Sequence, residues 1–394
     1  MLRFLFTVRN LPDVLALGFV TLTQAAWVKA LLKERAAVQS RRVRRAIWGA
    51  WSVSMAVLLA GFLLAFTSVE RLFPAWALDW GHGVTILWAF LSVLLAASYA
   101  VGKAIAWTAE RFEARHSPAR RRFLGAVRGA LLGLPVVAIG YGTFIQRFRL
   151  TMREQKIPVA GLPEDLDGLR IAQLTDIHLS PFLSVRELEQ AVAMANETRP
   201  HLTLVTGDLI TRGGDPLDDC LHALSRLKSD AGVYGCMGNH EIYANSEDYT
   251  QSQGAKLGMT FLRRQTRLLR FGQAKLNLAG MDYQRLGKHY LRGAERLIVP
   301  GAFNVLLQHN PDVFPVAAAK GFPLTISGHT HGGQVRVEIL NADLNVSRFY
   351  THYVDGLYQK EGSSIFVSRG IGTIALPTRL GAPPEVALLT LCRT

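Results

Sequence analysis

The sequence predicts an α/β domain placed behind a bundle of membrane-spanning helices. Three observations carry this. Uncharged apolar stretches of spanning length crowd residues 1–145, short β-rich runs alternate with amphipathic helical patterns from residue 169, and charge divides unevenly between the two parts. With 394 residues the chain is long enough for more than one domain. Residues 1–150 hold 19 of the 44 Lys and Arg but only 6 of the 30 acidic residues, so +13 of the net +14 lies there. A nucleic-acid binder would carry its positive patch on the folded binding domain, so this split points to membrane topology and away from nucleic acid. Cys220, Cys236 and Cys392 lack C-x-x-C or zinc-ribbon spacing and read as small buried side chains.

Residues 1–146 are expected to form the helical anchor, with spans over 11–32, 46–67, 83–107 and 123–145. The 46–67 stretch is uncharged; the third carries Lys103 near its end, within reach of the interface, and the fourth has Arg128 in its first turns. The 11–32 segment, bracketed by Asp13 and Lys29, is compatible with spanning or with lying in the interface. Short cytoplasmic loops collect Lys and Arg. Residues 33–45 carry Lys33, Arg35, Arg41, Arg42, Arg44 and Arg45, and residues 108–122 carry five Arg including Arg115, whereas 68–82 has Arg71 beside Glu70 and Asp79. Alternation then puts everything after Ile145 on the outer face, in a cell or inner membrane. Arg147, Arg149, Arg153 and Lys156 are a counter-signal. Residues 1–19 lack a small-residue cleavage site, so the helices are expected to stay attached.

A linker is expected over 147–168 and the α/β domain over 169–394. Strands are read at 169–174, 202–206, 233–237, 276–279, 304–308, 324–327, 334–339, 365–368 and 386–391, and helices at 184–198, 217–228 and 311–319. Ser184 and Glu187 form a capping box for the first helix. In such a domain the functional residues sit in loops at the carboxyl ends of strands.

Five polar motifs stand at those places: Thr175-Asp176-Ile177-His178, Gly207-Asp208, Gly238-Asn239-His240-Glu241, Gln308-His309-Asn310 and Gly328-His329-Thr330-His331. Asp carboxylates neutralise divalent cations and can bridge two, neutral imidazoles bind borderline metals, and an Asn carbonyl adds a ligand without more charge. Each motif alone is weak, since Gly-Asp is usually a turn and a lone His is usually structural. The ordered set supplies ligands for two metal ions, and that implies in-line hydrolysis of a phosphate ester.

This order of motifs resembles the calcineurin-like metallophosphoesterase superfamily. The stretch 367–373 followed by Ala382, Pro383, Pro384, Glu385 and Val386 resembles its YkuE-like membrane-associated branch. The resemblance covers residues 155–394 and implies a four-layer αββα sandwich, two mixed β-sheets flanked by helices. It implies that Asp176, His178, Asp208 and His331 hold one metal while Asp208, Asn239, His309 and His329 hold the other. It also implies two divalent ions, with manganese, iron and zinc all compatible, whose bridging hydroxide attacks phosphorus. His240 is the expected proton donor or charge stabiliser, with Glu241 orienting its imidazole and Asp282 a weaker candidate beside the ligands. The remaining histidines, His82, His116, His201, His222, His289 and His352, match no ligand position.

The function expected is a membrane-anchored, metal-dependent phosphoesterase, a phosphodiesterase or phosphomonoesterase, with a lipid-linked ester as one form of substrate. Pro181, Phe182 and Leu183 would supply an apolar rim for it. A UDP-diacylglucosamine-type pyrophosphatase, expected on the cytoplasmic face, and a non-catalytic membrane sensor or scaffold are the alternatives.

Overall fold

The computed structural model describes residues 11–33, 40–66, 73–111, 118–284, 290–339 and 342–394. Arg35, Glu70, Arg71, Arg115, His116 and His289 lie outside the described residues. Among those described, one compact unit takes in residues up to 141 with 375–377, and a second takes in 142–374 with 378–394.

In the first unit, α1 (Leu11–Leu32), α2 (Arg41–Phe66), α3 (Ala75–Arg111) and α4 (Pro118–Phe144), whose last three residues belong to the second unit, are long and apolar enough to cross a membrane. The 11–32 segment is a single helix of 22 residues. Small residues let helices approach: a Cβ at Gly61 of α2 would collide with the side chain of Thr85 of α3. Arg128 of α4 places its guanidinium over the ring of Tyr99 of α3, 4.9 Å from the centroid, which offsets part of the cost of a charge in an apolar setting.

The second unit is an αββα sandwich. One sheet runs β1 (Thr151–Val159), β14 (Glu385–Arg393), β2 (Arg170–Leu174), β3 (Leu202–Val205), β4 (Val233–Gly235), β5 (Met259–Phe261), parallel throughout except between β14 and β2. The other runs β12 (Gly356–Lys360), β13 (Ser363–Val367), β9 (Leu324–Ser327), β8 (Phe303–Leu307), β7 (Ala274–Gly280), β6 (Gln265–Phe271), parallel in its centre with antiparallel edges. The central strands are buried on both faces, which is why they read as unbroken apolar runs. Ile171, Leu204, Leu276, Val305 and Leu389 pack in the layer between the sheets. Leu188 and Val192 of α5 (Val185–Glu197) and Leu221 of α6 (Leu217–Leu224) cover one outer face. Ala317 and Phe314 of α9 (Phe314–Ala319) help cover the other. The capping box of α5 is formed, with Ser184 N donating to Glu187 Oε2 at 2.7 Å.

One sequence expectation is corrected, and one strand stands apart from both sheets. The segment 147–168 is not a linker: β1 pairs along its whole length with β14, from Thr151 opposite Glu385 to Val159 opposite Arg393. Its charges and Pro158 hid it, yet those are what an edge strand tolerates. The strand expected at 334–339 joins neither sheet; β10 (Arg336–Ile339) pairs only with β11 (Ala342–Asn345) in a separate hairpin. Two short helices, α7 (Asn239–Ala244) and α8 (Glu247–Lys256), were also not foreseen.

Candidate metal centre

Every expected ligand sits just past the carboxyl end of a strand. Asp176 and His178 follow β2, Asp208 follows β3, Asn239 opens α7 after β4, His309 follows β8, and His329 and His331 follow β9. The first three strands belong to one sheet and the last two to the other, so the cluster forms where both sets of carboxyl ends meet. Five of the seven have left-handed backbone, with φ of +49° at Asp176, +48° at His178, +55° at Asp208, +78° at His329 and +53° at His331. Such conformations cost a residue bearing a Cβ roughly 1–3 kcal/mol and persist only where the surroundings impose them.

The imposing contacts are visible. Asp176 N donates to Gly207 O at 3.0 Å, His178 N to Asp208 O at 3.0 Å, and Gly372 N to Asp176 O at 2.7 Å. His329 N donates to both oxygens of Asp176 at 2.9 Å. Gly238 and Gly328 are required by close approach, because a Cβ at either would collide with the carboxylate of Asp208 or Asp176 respectively.

Asp208 is the hub. Its Oδ2 lies 2.9 Å from His309 Nε2, 3.5 Å from His178 Nε2 and 4.0 Å from His240 Nε2. His178 Nε2 stands 3.1 Å from His331 Nε2, and His331 Nε2 is 3.4 Å from Asp176 Oδ1. Three sets of side chains can each hold an ion: Asp176, His178 and His331; Asp208, His309 and His329; and His178, Asp208 and His240. The donors fit divalent metals on two further counts. Asn239 Oδ1 is buried with no hydrogen-bond partner. His309 Nδ1 donates to Thr206 O at 2.6 Å, so in the neutral ring Nε2 presents a lone pair to the Asp208 carboxylate, an arrangement that calls for a cation or a proton between them.

The electrostatics without metal say the same. Burial alone would lower the pKa of His309, yet the charges of Asp208 and Asp176 raise it to about 10. Burial, helped by the neighbouring histidines, lowers His178 to about 3 and His329 to about 4. Burial also works against ionisation of Asp208, but the His309 imidazole outweighs it and holds this carboxyl well below its ordinary range. Asp176 is raised, first by burial and then by Asp208.

His240 Nδ1 donates to Thr211 O at 2.5 Å, which turns Nε2 toward Asp208, and its ring meets His178 edge-on at 4.7 Å. Glu241 does not orient that imidazole. It is fully buried, and its carboxylate accepts from Asp208 N at 2.9 Å, Leu209 N at 2.7 Å and Gly238 N at 2.8 Å, tying the second ligand loop to the third. Asp282 is likewise turned away, gripped by Arg263 Nε at 3.1 and 3.2 Å. The expected apolar rim is absent at its stated place: Phe182 and Leu183 are buried, Leu183 in the core under α5, and only Pro181 is exposed.

Two neighbours of the site had no motif to betray them. Tyr283 packs its ring against His329 and His309, at 5.3 and 6.2 Å. Arg379 is fully buried; it donates to the carbonyls of His331, Gly372, Arg369 and Ala382, and places Nη2 3.2 Å from His331 Nδ1.

Residues 169–333 match the family model for calcineurin-like phosphoesterases. The metallophosphoesterase YkuE of Bacillus subtilis is 30% identical over 286 residues, 70% of this chain and 98% of that protein. A transmembrane protein with metallophosphoesterase domain from Bos taurus is 28% identical, covering 86% of this chain and 80% of its own length. The phosphodiesterase YaeI of Escherichia coli is 27% identical, covering 69% and 98%.

Proposed function

Because this chain belongs to the calcineurin-like phosphoesterase family and is a metal-dependent phosphoric ester hydrolase, we propose that it is a membrane-anchored phosphodiesterase working through a two-metal centre. The observation that carries the reading is the convergence on Asp208 Oδ2 of three imidazole nitrogens, those of His309, His178 and His240. One carboxylate in that position can serve two ions. We assign Asp176, His178, Asp208 and His331 to one and Asp208, Asn239, His309 and His329 to the other. Two divalent ions held there would supply Lewis acidity toward the phosphoryl oxygens and acidify water near neutral pH.

The chain's own residues do the rest. Asp176 and Asp208 supply the negative charge that holds cations in a buried site. His240, fixed through Nδ1 by the Thr211 carbonyl, presents Nε2 to the centre. In its cationic form that nitrogen donates to the phosphoryl group or protonates the departing alkoxide. Glu241 keeps Asp208 and Gly238 in register through their amides. The name of the Escherichia coli relative favours a diester. With Phe182 buried, the loop after the first motif lends no support to a lipid-linked substrate. We further propose that the anchor comprises α1 to α4 and that the catalytic unit stands on the outer face.

The test is hydrolysis of bis(4-nitrophenyl) phosphate and 4-nitrophenyl phosphate by the purified protein, with Mn²⁺ or a chelator. Asp208→Ala should lose activity by about 10³-fold and His240→Ala by about 10²-fold. Activity retained in Asp208→Ala, or unaffected by the chelator, would discard the mechanism.

A further inference from the structure

α4 runs from Pro118 to Phe144, and its last three residues belong to the second unit. Within that unit the end of the helix meets residues 378–381 at three points. Arg379 N donates to Gly142 O at 3.2 Å, the hydroxyls of Thr143 and Thr378 hydrogen-bond to each other, and Gly381 N donates to Gln146 Oε1 at 2.9 Å just past the helix. The approach is close: a Cβ on Gly142 would stand 2.8 Å from Arg379 O and 3.1 Å from Thr378 Cγ2. Thr143 and Thr378 are both buried, so their hydroxyls depend on this pairing. What the helix holds reaches the metal ligands in turn. Arg379 donates through Nη1 to His331 O at 3.0 Å and through Nε to Gly372 O at 3.0 Å, and Gly372 N donates to Asp176 O at 2.7 Å. Beyond the helix, Arg147 Nη1 donates to Phe182 O at 3.2 Å, on the segment that follows His178. These contacts fall on the first and fifth ligand-bearing turns, at the residues assigned to one ion.

We propose that the last turn of α4 is a positioning element for that ion: by seating Thr378 and Arg379 it fixes the turns of His331 and Asp176 in ligating geometry. A helix long and apolar enough to cross a membrane thereby sets how tightly the centre holds one of its two metals. Gly142 is the contact point, because only a residue without a Cβ lets the helix lie against the Arg379 carbonyl. This depends on Asp176, His178 and His331 holding one ion, as proposed for the centre.

The experiment is Mn²⁺ binding by the full-length protein in detergent, followed by electron paramagnetic resonance, which separates a coupled pair of ions from an isolated one. The parent should show the coupled spectrum once both ions are bound. Gly142→Ala pushes the helix off Arg379 and should need about tenfold more Mn²⁺ for the coupled spectrum, leaving an isolated ion at lower metal. Thr378→Val, which keeps the shape and removes the hydroxyl, should shift the same way by a smaller factor. Gly140→Ala lies on the same helix with no atom within 4 Å of the new Cβ, and should behave as the parent. A general loosening of the fold would instead weaken both ions together. That outcome, or a Gly142→Ala protein that binds both ions as the parent does, would overturn the proposal, as would an equal effect of Gly140→Ala. Thr378→Val decides the matter if the alanine variant fails to fold. A parent with no coupled spectrum at any metal load would discard the two-metal centre as well, whereas a coupled parent matched by its variants would sink the positioning role alone.

Discussion

Glu241 and His240 are adjacent in sequence and do different work. Glu241 is fully buried and accepts from three backbone amides, two on the loop after β3 and one on the loop after β4. A glutamine there would offer one acceptor oxygen and turn an NH2 group at a donor. Glu241→Gln should lose about 2 kcal/mol in urea denaturation and retain less metal after dialysis; unchanged stability would mean those bonds carry nothing. His240→Ala should stay within about 1 kcal/mol of the parent while losing turnover. The histidines add a pH dependence in the metal-free state. Unfolded histidines titrate near 6.5, but folded His178 and His329 are lowered to about 3 and 4, and His331 lies well below its ordinary value, each first by burial. As pH falls below 6.5 the unfolded chain takes up protons that these three rings refuse, so stability must fall. His309, raised to about 10, has its full stabilising effect below 6.5 and adds no slope there. Asp176, raised by burial, takes up a proton in part of this window and offsets some of the loss. Chelated protein should therefore lose up to about 2 kcal/mol per pH unit between 6.5 and 4.5, read from denaturation midpoints. A flat profile would contradict these environments. The ligand letters were legible because metal chemistry restricts which side chains can serve. Glu241 was misread because its partners are main-chain amides, which no pattern of side chains encodes.

At the scale of elements, the stretch after β13 is held by one side chain. Arg379 reaches the carbonyls of Arg369, Gly372 and Ala382 and also that of His331, drawing the loop onto the fifth ligand-bearing turn of the chain, while Gly372 N donates to Asp176 O in the first. Its pKa is lowered to about 10 by burial, and no carboxylate among the described residues pairs with it directly. Carbonyl dipoles therefore replace a counter-ion, and only a planar guanidinium can meet so many at once. Arg379→Met would leave those carbonyls buried and unpaired, and should cost about 3 kcal/mol or more in chemical denaturation. Arg379→Lys should recover only part of that. A methionine variant as stable as the parent would show that the carbonyls find water instead. The central strands were legible because burial on both faces writes an apolar run into the sequence. The edges were not: β1 carries Arg153, Glu154 and Lys156, and β6 is exposed along most of its length, so their pairing depends on partners far away in the chain.

The whole molecule poses the question of side. The proposal of an outer catalytic unit rests on the loop charges over 33–45 and 108–122, which favour those loops inside, together with four spanning helices. The objection is the basic group just past α4, namely Arg147, Arg149, Arg153 and Lys156. Two of these charges are engaged in the folded unit. Arg153 is 3.2 Å from Asp355 and 3.6 Å from Glu385, and Arg147 Nη1 donates to Phe182 O at 3.2 Å while its guanidinium stacks on Phe148 at 4.2 Å. A charge engaged within a domain has less pull on topology than one free in a short loop, so the counter-signal shrinks to Arg149 and Lys156 against eleven basic residues in the two loops proposed to be inside. A further consideration agrees: the charge of residues 151–394 nearly balances, so the domain itself resists neither direction of transfer. Alkaline phosphatase fused after Thr394 should therefore be active in intact cells, whereas a green fluorescent protein fused there by the same export route should stay dark. Fusions after residue 40 and after residue 115 should give the reverse pattern. Fluorescence from the fusion at Thr394 with no phosphatase activity would put the metal centre inside, and would raise the cytoplasmic pyrophosphatase reading.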